Sequence, residues 1–160
     1  MAGFEHGDLE GRIIDLGTGT GRLAIGAALM GASEVLGLDV DKSSVGVAVS
    51  NARKSKVGVN WIIGGLESVR GHFDTVLMNP PYGTRSPHQD TQFLSKAFQI
   101  APVIYSIHKS STRSFLIEFA RKNGRIVDAV RSLEMSIPHM FQFHQKKWKT
   151  IQVDLLRISA

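Results

Sequence analysis

Asn79, Pro80, Pro81 and Tyr82 form one run at the end of an apolar stretch, and together they can grip a planar amine. An amino group on a π system is a poor nucleophile, because its lone pair is delocalised. Two acceptors on its two hydrogens push it toward a tetrahedral nitrogen. The side-chain oxygen of Asn79 can take one hydrogen and the backbone carbonyl of Pro80 the other. Pro81 has a fixed φ and helps hold that carbonyl in place. Tyr82 offers a ring face on which a flat base can stack, worth roughly 1–3 kcal/mol. The run fixes the reaction better than the substrate, since an adenine amine and a glutamine amide suit the same acceptors. A base inside a duplex could not reach such a turn, so a nucleic-acid target is expected flipped or single-stranded.

Upstream lies a second run, Asp15-Leu16-Gly17-Thr18-Gly19-Thr20-Gly21-Arg22. Its glycines let the backbone turn tightly and approach a ligand, and the helix that follows points free N–H groups at that ligand. The dinucleotide fingerprint G-x-G-x-x-G needs glycine at 22, where Arg22 stands. G-x-G-x-G behind an acidic residue is the variant that holds S-adenosylmethionine. Asp39 ends the next strand, where its carboxylate can accept both ribose hydroxyls, as it also could for NAD. The candidate cofactor residues are thus Asp15, Gly17, Thr18, Gly19, Thr20, Gly21 and Asp39 with its neighbour Val40. A sulfonium-borne methyl group is already activated, so no strong general base is required. The protein's work is alignment and electrostatics.

The elements that must position these runs can be read along the chain. Arg12–Leu16, Glu34–Asp39, Val59–Ile63, Phe73–Met78 and Val103–Ile107 read as strands. Between them Leu23–Met30, Lys42–Lys56 and Thr91–Gln99 read as helices. Ser111–Lys122 reads as a further helix, capped by Ser110 or Ser111. Arg125–Met135 and Lys149–Ile158 read as two closing strands. This alternation predicts an α/β domain over residues 1–160, a mostly parallel seven-stranded sheet with helices on both faces. Ligands of such sheets sit at the carboxyl ends of the strands, where both runs fall.

The chain has no cysteine, which excludes disulfides and thiolate metal sites. Its six histidines show no ligand spacing, so no metal is expected. No apolar run is long enough for a membrane span, the first residues do not read as a signal peptide, and a cytoplasmic setting is the default. Up to His108 there are nine Lys/Arg against ten Asp/Glu; thereafter there are ten against four. A basic last third suits a polyanion such as RNA or DNA, although a solvated basic face has the same composition.

At this point the chain resembles the methyltransferase-like 5 family of N6-adenine ribosomal RNA methyltransferases, in an archaeal style. The resemblance runs nearly end to end. It rests on Phe73 to Thr84, on Tyr105-Ser-Ile-His-Lys-Ser-Ser-Thr-Arg113, and on Phe141 to Lys147 followed by Val153-Asp-Leu-Leu-Arg157. It implies a Rossmann-like class I methyltransferase with S-adenosylmethionine as cofactor and an adenine of small-subunit rRNA as target. It implies cofactor contacts at Gly17, Thr20, Arg22, Asp39, Gly65 and Leu66, with Asn79 also at the cofactor, and catalysis by Asn79 through Tyr82. It also suggests a small zinc-finger activator protein pairing with the edge strand Val59–Ile63, whose apolar residues make an unusual edge to leave bare.

Three departures carry expectations. The family has a longer segment ahead of the first strand, so the domain is expected to lack it. An acid usually ends the third strand and holds the cofactor's adenine amine; here Gly65 stands there and Glu67 lies two on. Either backbone groups hold the adenine, or Glu67 swings in. Thr18 and Thr20 replace cysteines of many relatives.

Among the remaining residues, His108 and Lys109 end the fifth strand and are candidate substrate contacts. Phe141, Phe143, His144, Lys146, Lys147 and Trp148 interleave aromatic and basic side chains, as grooves for single-stranded RNA do. Lys146 and Lys147 are expected at phosphate. Arg85 and His88 could clamp the substrate strand. The rival readings are methyl transfer to DNA adenine or protein glutamine, and a non-catalytic RNA-binding scaffold on the same fold.

Overall fold

The structure, a computed structural model, describes residues 7–80, 89–138 and 148–160. Its elements are β1 (Arg12–Leu16), α1 (Arg22–Leu29), β2 (Glu34–Asp39), α2 (Lys42–Ser55), β3 (Asn60–Ile63), β4 (Thr75–Met78), α3 (Gln89–Ile100), β5 (Val103–Lys109), α4 (Arg113–Lys122), β6 (Ile126–Pro138) and β7 (Trp148–Ser159). The seven strands form one sheet in the order β3-β2-β1-β4-β5-β7-β6. The first five are parallel, and β7 runs antiparallel to both of its neighbours. The expected class is therefore found, with β3 at an edge.

The central strands explain the parallel pairing. Ile13, Ile14 and Leu16 of β1, and Val76, Leu77 and Met78 of β4, are buried on both faces, as apolar strands between two helical layers must be. One face meets Leu94, Ala97 and Ile100 of α3 and Leu116 and Ala120 of α4. The other meets Ala24 and Ala27 of α1. Each fully buried Ile or Leu contributes roughly 1.5–3 kcal/mol, so these layers supply the main driving force for folding. Asp41 starts α2 as a true cap, accepting from the Ser43 and Ser44 N–H groups at 3.0 and 3.2 Å.

The start of α4 differs from expectation. Neither Ser110 nor Ser111 caps it; the chain passes through a 3-10 turn over Ser110–Thr112, and Thr112 precedes the helix without a side-chain cap bond. Ser110 is drawn elsewhere. Its hydroxyl donates to Asp154 Oδ1 at 2.8 Å. Asp154 is fully buried on β7 and also accepts from Arg113 and Ser132. The Arg113 guanidinium, aided by the two serines, holds its carboxyl down to about 2.

A second polar cluster ties β5 and β7 to the region before β1. Asp8 accepts from the Tyr105 hydroxyl at 2.6 Å and from Arg157 Nε at 2.8 Å, and Arg157 also pairs with Asp128. Burial, followed by the Asp8 carboxylate, pushes the Tyr105 hydroxyl up to about 12. Much of the two most distinctive sequence blocks, Tyr105–Arg113 and Val153–Arg157, is thereby accounted for by strand anchoring. Among the described residues no helix is long and apolar enough to cross a membrane.

Candidate active site

The carboxyl ends of β1, β2 and β4 converge through their register. Leu16 pairs with Leu38 on one side and with Met78 on the other. The glycine loop after β1, Asp39 on β2 and Asn79 after β4 thus lie at one end of the sheet. They border a cleft of about 530 Å³ lined by Gly17, Leu38, Asp39, Val40, Gly64, Gly65, Leu66, Glu67, Asn79, Gln92 and Phe93.

The loop is built from the backbone outward. Gly17 and Thr18 both donate their N–H groups to the Leu38 carbonyl, at 2.9 and 2.8 Å. Gly21 takes φ 84°, a left-handed conformation that turns the chain into α1. A Cβ there would lie 2.8 Å from Trp61 and 3.0 Å from Ala48, so glycine is required by space as well as by angle.

Asp15 is the loop's internal anchor. Its Oδ2 accepts from the Thr18 hydroxyl at 2.6 Å and from the Ala24 N–H at 3.1 Å, while its Oδ1 is buried without a partner. Burial pushes its carboxyl up to about 6, against the lowering effect of those two bonds. Asp39 links the loop to the next helix. Its Oδ2 accepts from the Gly19 N–H at 2.7 Å and its Oδ1 from the Asp41 N–H at 2.9 Å. A carboxylate oxygen has a second lone pair, so both remain able to accept from a ligand.

Of the candidate cofactor residues, Gly17, Asp39, Val40, Gly65, Leu66 and Asn79 line the cleft. Asp15, Thr18 and Gly21 do not; they are buried behind it and shape the loop. The Thr18 hydroxyl supports Asp15, and Gly21 packs on Trp61. Gly19 is engaged with Asp39. Thr20 and Arg22 are exposed and do not line the cleft, the Thr20 carbonyl accepting from Asn51 Nδ2 at 3.0 Å.

The Glu67 carboxylate folds back over Gly65, so that a Cβ on residue 65 would fall 2.5 Å from Oε1. Glu67 occupies the space that a side chain at 65 would fill, and it lines the cleft. Gln92 and Phe93 were not foreseen. The Phe93 ring lies 3.1 Å from where a Cβ on Gly17 would be. An aromatic on the first turns of α3, just beyond the Asn79 run, was the available signal, and it reads equally well as core.

Asn79 is half-buried, its Oδ1 has no partner, and Pro80 is buried beside it. An acceptor left unsatisfied at a cleft is the donor-seeking group that the amine chemistry requires. Pro81, Tyr82, Arg85, His88, Phe141, Phe143, His144, Lys146 and Lys147 lie outside the described residues, as does the side chain of Trp148. His108, expected at the substrate, is only 1% exposed, and its ring sits inside the domain. Lys109, half-buried, ends β5. Among the described residues no group of three or more His, Cys, Asp or Glu could hold a metal ion.

A glycine loop at the end of β1, an acid at the end of β2 and this sheet order define a class I methyltransferase that uses S-adenosylmethionine. The comparisons refine the class. The profile of ribosomal protein L11 methyltransferase (PrmA) matches residues 5–79. The Drosophila melanogaster protein named rRNA N(6)-adenosine-methyltransferase Mettl5 is 35% identical, over 96% of this chain and 76% of its own. The Danio rerio METTL5 of the same description is 33% identical, over 95% and 77%. The crystal structure of Pyrococcus horikoshii PH1948 superposes with a TM-score of 0.88 at 41% identity, over 96% of this chain and 76% of that one. A magnesium protoporphyrin IX methyltransferase from Synechocystis, solved with bound S-adenosylmethionine, shares the fold alone, at 19% identity and a TM-score of 0.70 over 96% and 73%. The chain belongs to the METTL5 family of rRNA N6-adenosine methyltransferases.

Proposed function

We propose that this chain methylates the N6 amine of an adenine in RNA, with small-subunit rRNA as the substrate. S-adenosylmethionine supplies the activated methyl group. Asp39 would hold the ribose hydroxyls, and Gly17, Val40, Gly65 and Leu66 would line its seat. The observation that carries the reading is Asn79 Oδ1, buried at the cleft without a partner. It would accept one hydrogen of the target amine, and the Pro80 carbonyl the other. Their pull raises electron density on the nitrogen as it attacks. The surplus proton of the methylated amine can leave to water, since the product amine is a weak base. Tyr82 would stack on the base, and Arg85, Lys109, Lys146 and Lys147 would meet the RNA backbone.

The match to the L11 enzyme profile stops at Asn79, whereas the match to the rRNA enzyme of Drosophila covers 96% of the chain. The cofactor half is therefore of general type, and the later half favours RNA over a protein amide. We also propose that a small zinc-finger protein adds a strand to β3. Ile63 is 53% exposed on that edge, although Trp61 turns inward over Gly21 and Gly37.

The test is labelled-methyl transfer to deproteinised small-subunit rRNA, with nucleoside analysis of the product. The wild type should form N6-methyladenosine and Asn79→Ala should not, while keeping most cofactor affinity. Label found on another nucleoside, or unchanged turnover in Asn79→Ala, would refute the assignment.

A further inference from the structure

Near the carboxyl ends of β4 and β5, three polar atoms are buried without a hydrogen-bond partner: Asn79 Oδ1, Asp90 Oδ1 and His108 Nδ1. The first belongs to the amine-binding turn. The His108 ring faces the second oxygen of the same Asp90 carboxylate. His108 Nδ1 lies 3.6 Å from Asp90 Oδ2. On its other side, His108 Nε2 lies 2.5 Å from the hydroxyl of Ser106, which is fully buried.

The neighbours select the tautomer. A carboxylate faces Nδ1, so the proton belongs on Nδ1, and Nε2 accepts from the Ser106 hydroxyl. The opposite tautomer would set the Nδ1 lone pair against a carboxylate. At 3.6 Å the approach to Asp90 is longer than a hydrogen bond. Bonds of this kind are often long in an unliganded site and tighten in the working complex.

The location gives the pair a task. Met78, the last residue of β4, pairs with Ser106, so the Asn79–Pro80 turn and His108 both follow from the same end of the paired strands. Asp90 lies in the first turn of α3, and the next residues of that helix, Gln92 and Phe93, line the cleft together with Asn79. One buried imidazole thus joins the end of β5, next to the strand that carries the amine-binding turn, to the helix that completes the cleft lining. We propose that His108 is a positioning residue for methyl transfer: through Nδ1 it holds Asp90 and the start of α3 against the Asn79–Pro80 turn, with the Ser106 hydroxyl seated on Nε2. The kinetic part rests on the function proposed above; the pairing itself does not.

The test uses the whole chain. His108→Phe keeps a ring and removes both nitrogens, whereas His108→Gln keeps an N–H donor. Each is measured alone and with Asp90→Ala, for kcat and KM on rRNA and for cofactor Kd by calorimetry. His108→Phe should lower kcat about tenfold, the scale of a displaced reacting group, with cofactor Kd changed by less than about threefold. His108→Gln should recover most of that loss. Asp90→Ala should add nothing to His108→Phe, because both break one link. An unchanged kcat in His108→Phe, no recovery in His108→Gln, or additive losses would overturn the proposal. Proton NMR of the protein saturated with S-adenosylhomocysteine supplies a readout free of turnover. A downfield imidazole N–H should be present in the wild type and absent in Asp90→Ala. Its absence from the wild type, or its persistence in Asp90→Ala, overturns the pairing. A wild type that shows the resonance and yet leaves rRNA unmodified would count against the proposed substrate, not against the pair.

Discussion

Arg113 grips Asp154 at two points, Nε to Oδ2 at 2.7 Å and Nη2 to Oδ1 at 2.8 Å. The contact joins the start of α4 to β7, a strand 41 residues away in sequence. Planar two-point pairing of this kind fixes orientation as well as distance.

Removing that acid is expected to loosen the sheet. Asp154→Ala strips Arg113, Ser110 and Ser132 of a shared acceptor. The expected loss is about 2–3 kcal/mol, below that for a wholly buried pair because Arg113 can turn to water. Urea denaturation measures it. The carboxyl titrates at about 2, below its usual range, so its contribution is present above about pH 4 and is lost as pH falls through 2. A variant as stable as the wild type would refute the anchoring role.

Asp15 has the opposite sign. Its folded value of about 6 exceeds the unfolded 3.8, so its stabilising effect is full below about pH 4 and is lost as pH rises through 6. Asparagine at this position can still accept from Thr18 and Ala24 without a buried charge. Asp15→Asn should therefore raise unfolding stability, and the gain should grow by roughly 1 kcal/mol between about pH 5 and pH 7. Paired denaturation curves at the two values decide the matter; an equal difference at both would mean that Asp15 is not the group involved.

Glu67 is expected to read the cofactor's adenine. Its carboxylate can accept from the adenine amine, and a bond to a charged group is worth about 1.5–3 kcal/mol. Glu67→Ala should weaken S-adenosylhomocysteine binding about tenfold or more, and should leave an inosine analogue, which lacks the amine, nearly unaffected. Gly65→Asp in the Glu67→Ala background should restore affinity, because it returns a carboxylate to the same space. Equal losses for both ligands would end this assignment.

Gly21→Ala combines two penalties, a left-handed φ of 84° and a Cβ 2.8 Å from the Trp61 ring. Left-handed strain costs about 1–2 kcal/mol and overpacking about 1–3 kcal/mol. The melting temperature should fall clearly, and cofactor affinity with it. A substitution without thermal effect would show that Trp61 moves freely.

The layers of this fold were legible because they follow local rules. Apolar runs such as Arg12–Leu16 and Phe73–Met78 announce doubly covered strands, and glycines at 17, 19 and 21 announce a ligand loop. What stayed hidden depends on partners distant in sequence. Thr18 reads as a cofactor contact until Asp15 is seen beneath it. Ser110 reads as a helix cap until Asp154 arrives from β7. His108 reads as a substrate contact until its burial between Ser106 and Asp90 is known. Gln92 and Phe93 reach the cleft only because α3 leans on β4, and helical periodicity does not say what lies at the end of a lean.

The sheet is not completed in the order in which the chain is made. β7 is the last strand, yet it is inserted between β5 and β6. A nascent chain that has emerged only as far as residue 138 offers β5 an unpaired edge and leaves β6, with Ile126, Val130 and Leu133, without its neighbour. Open edges of that composition recruit strands from other chains. Synthesis of the twelve residues of β7 is thus the step that pairs β5 and β6 at once. Loss of residues from β7 should be felt first in solubility.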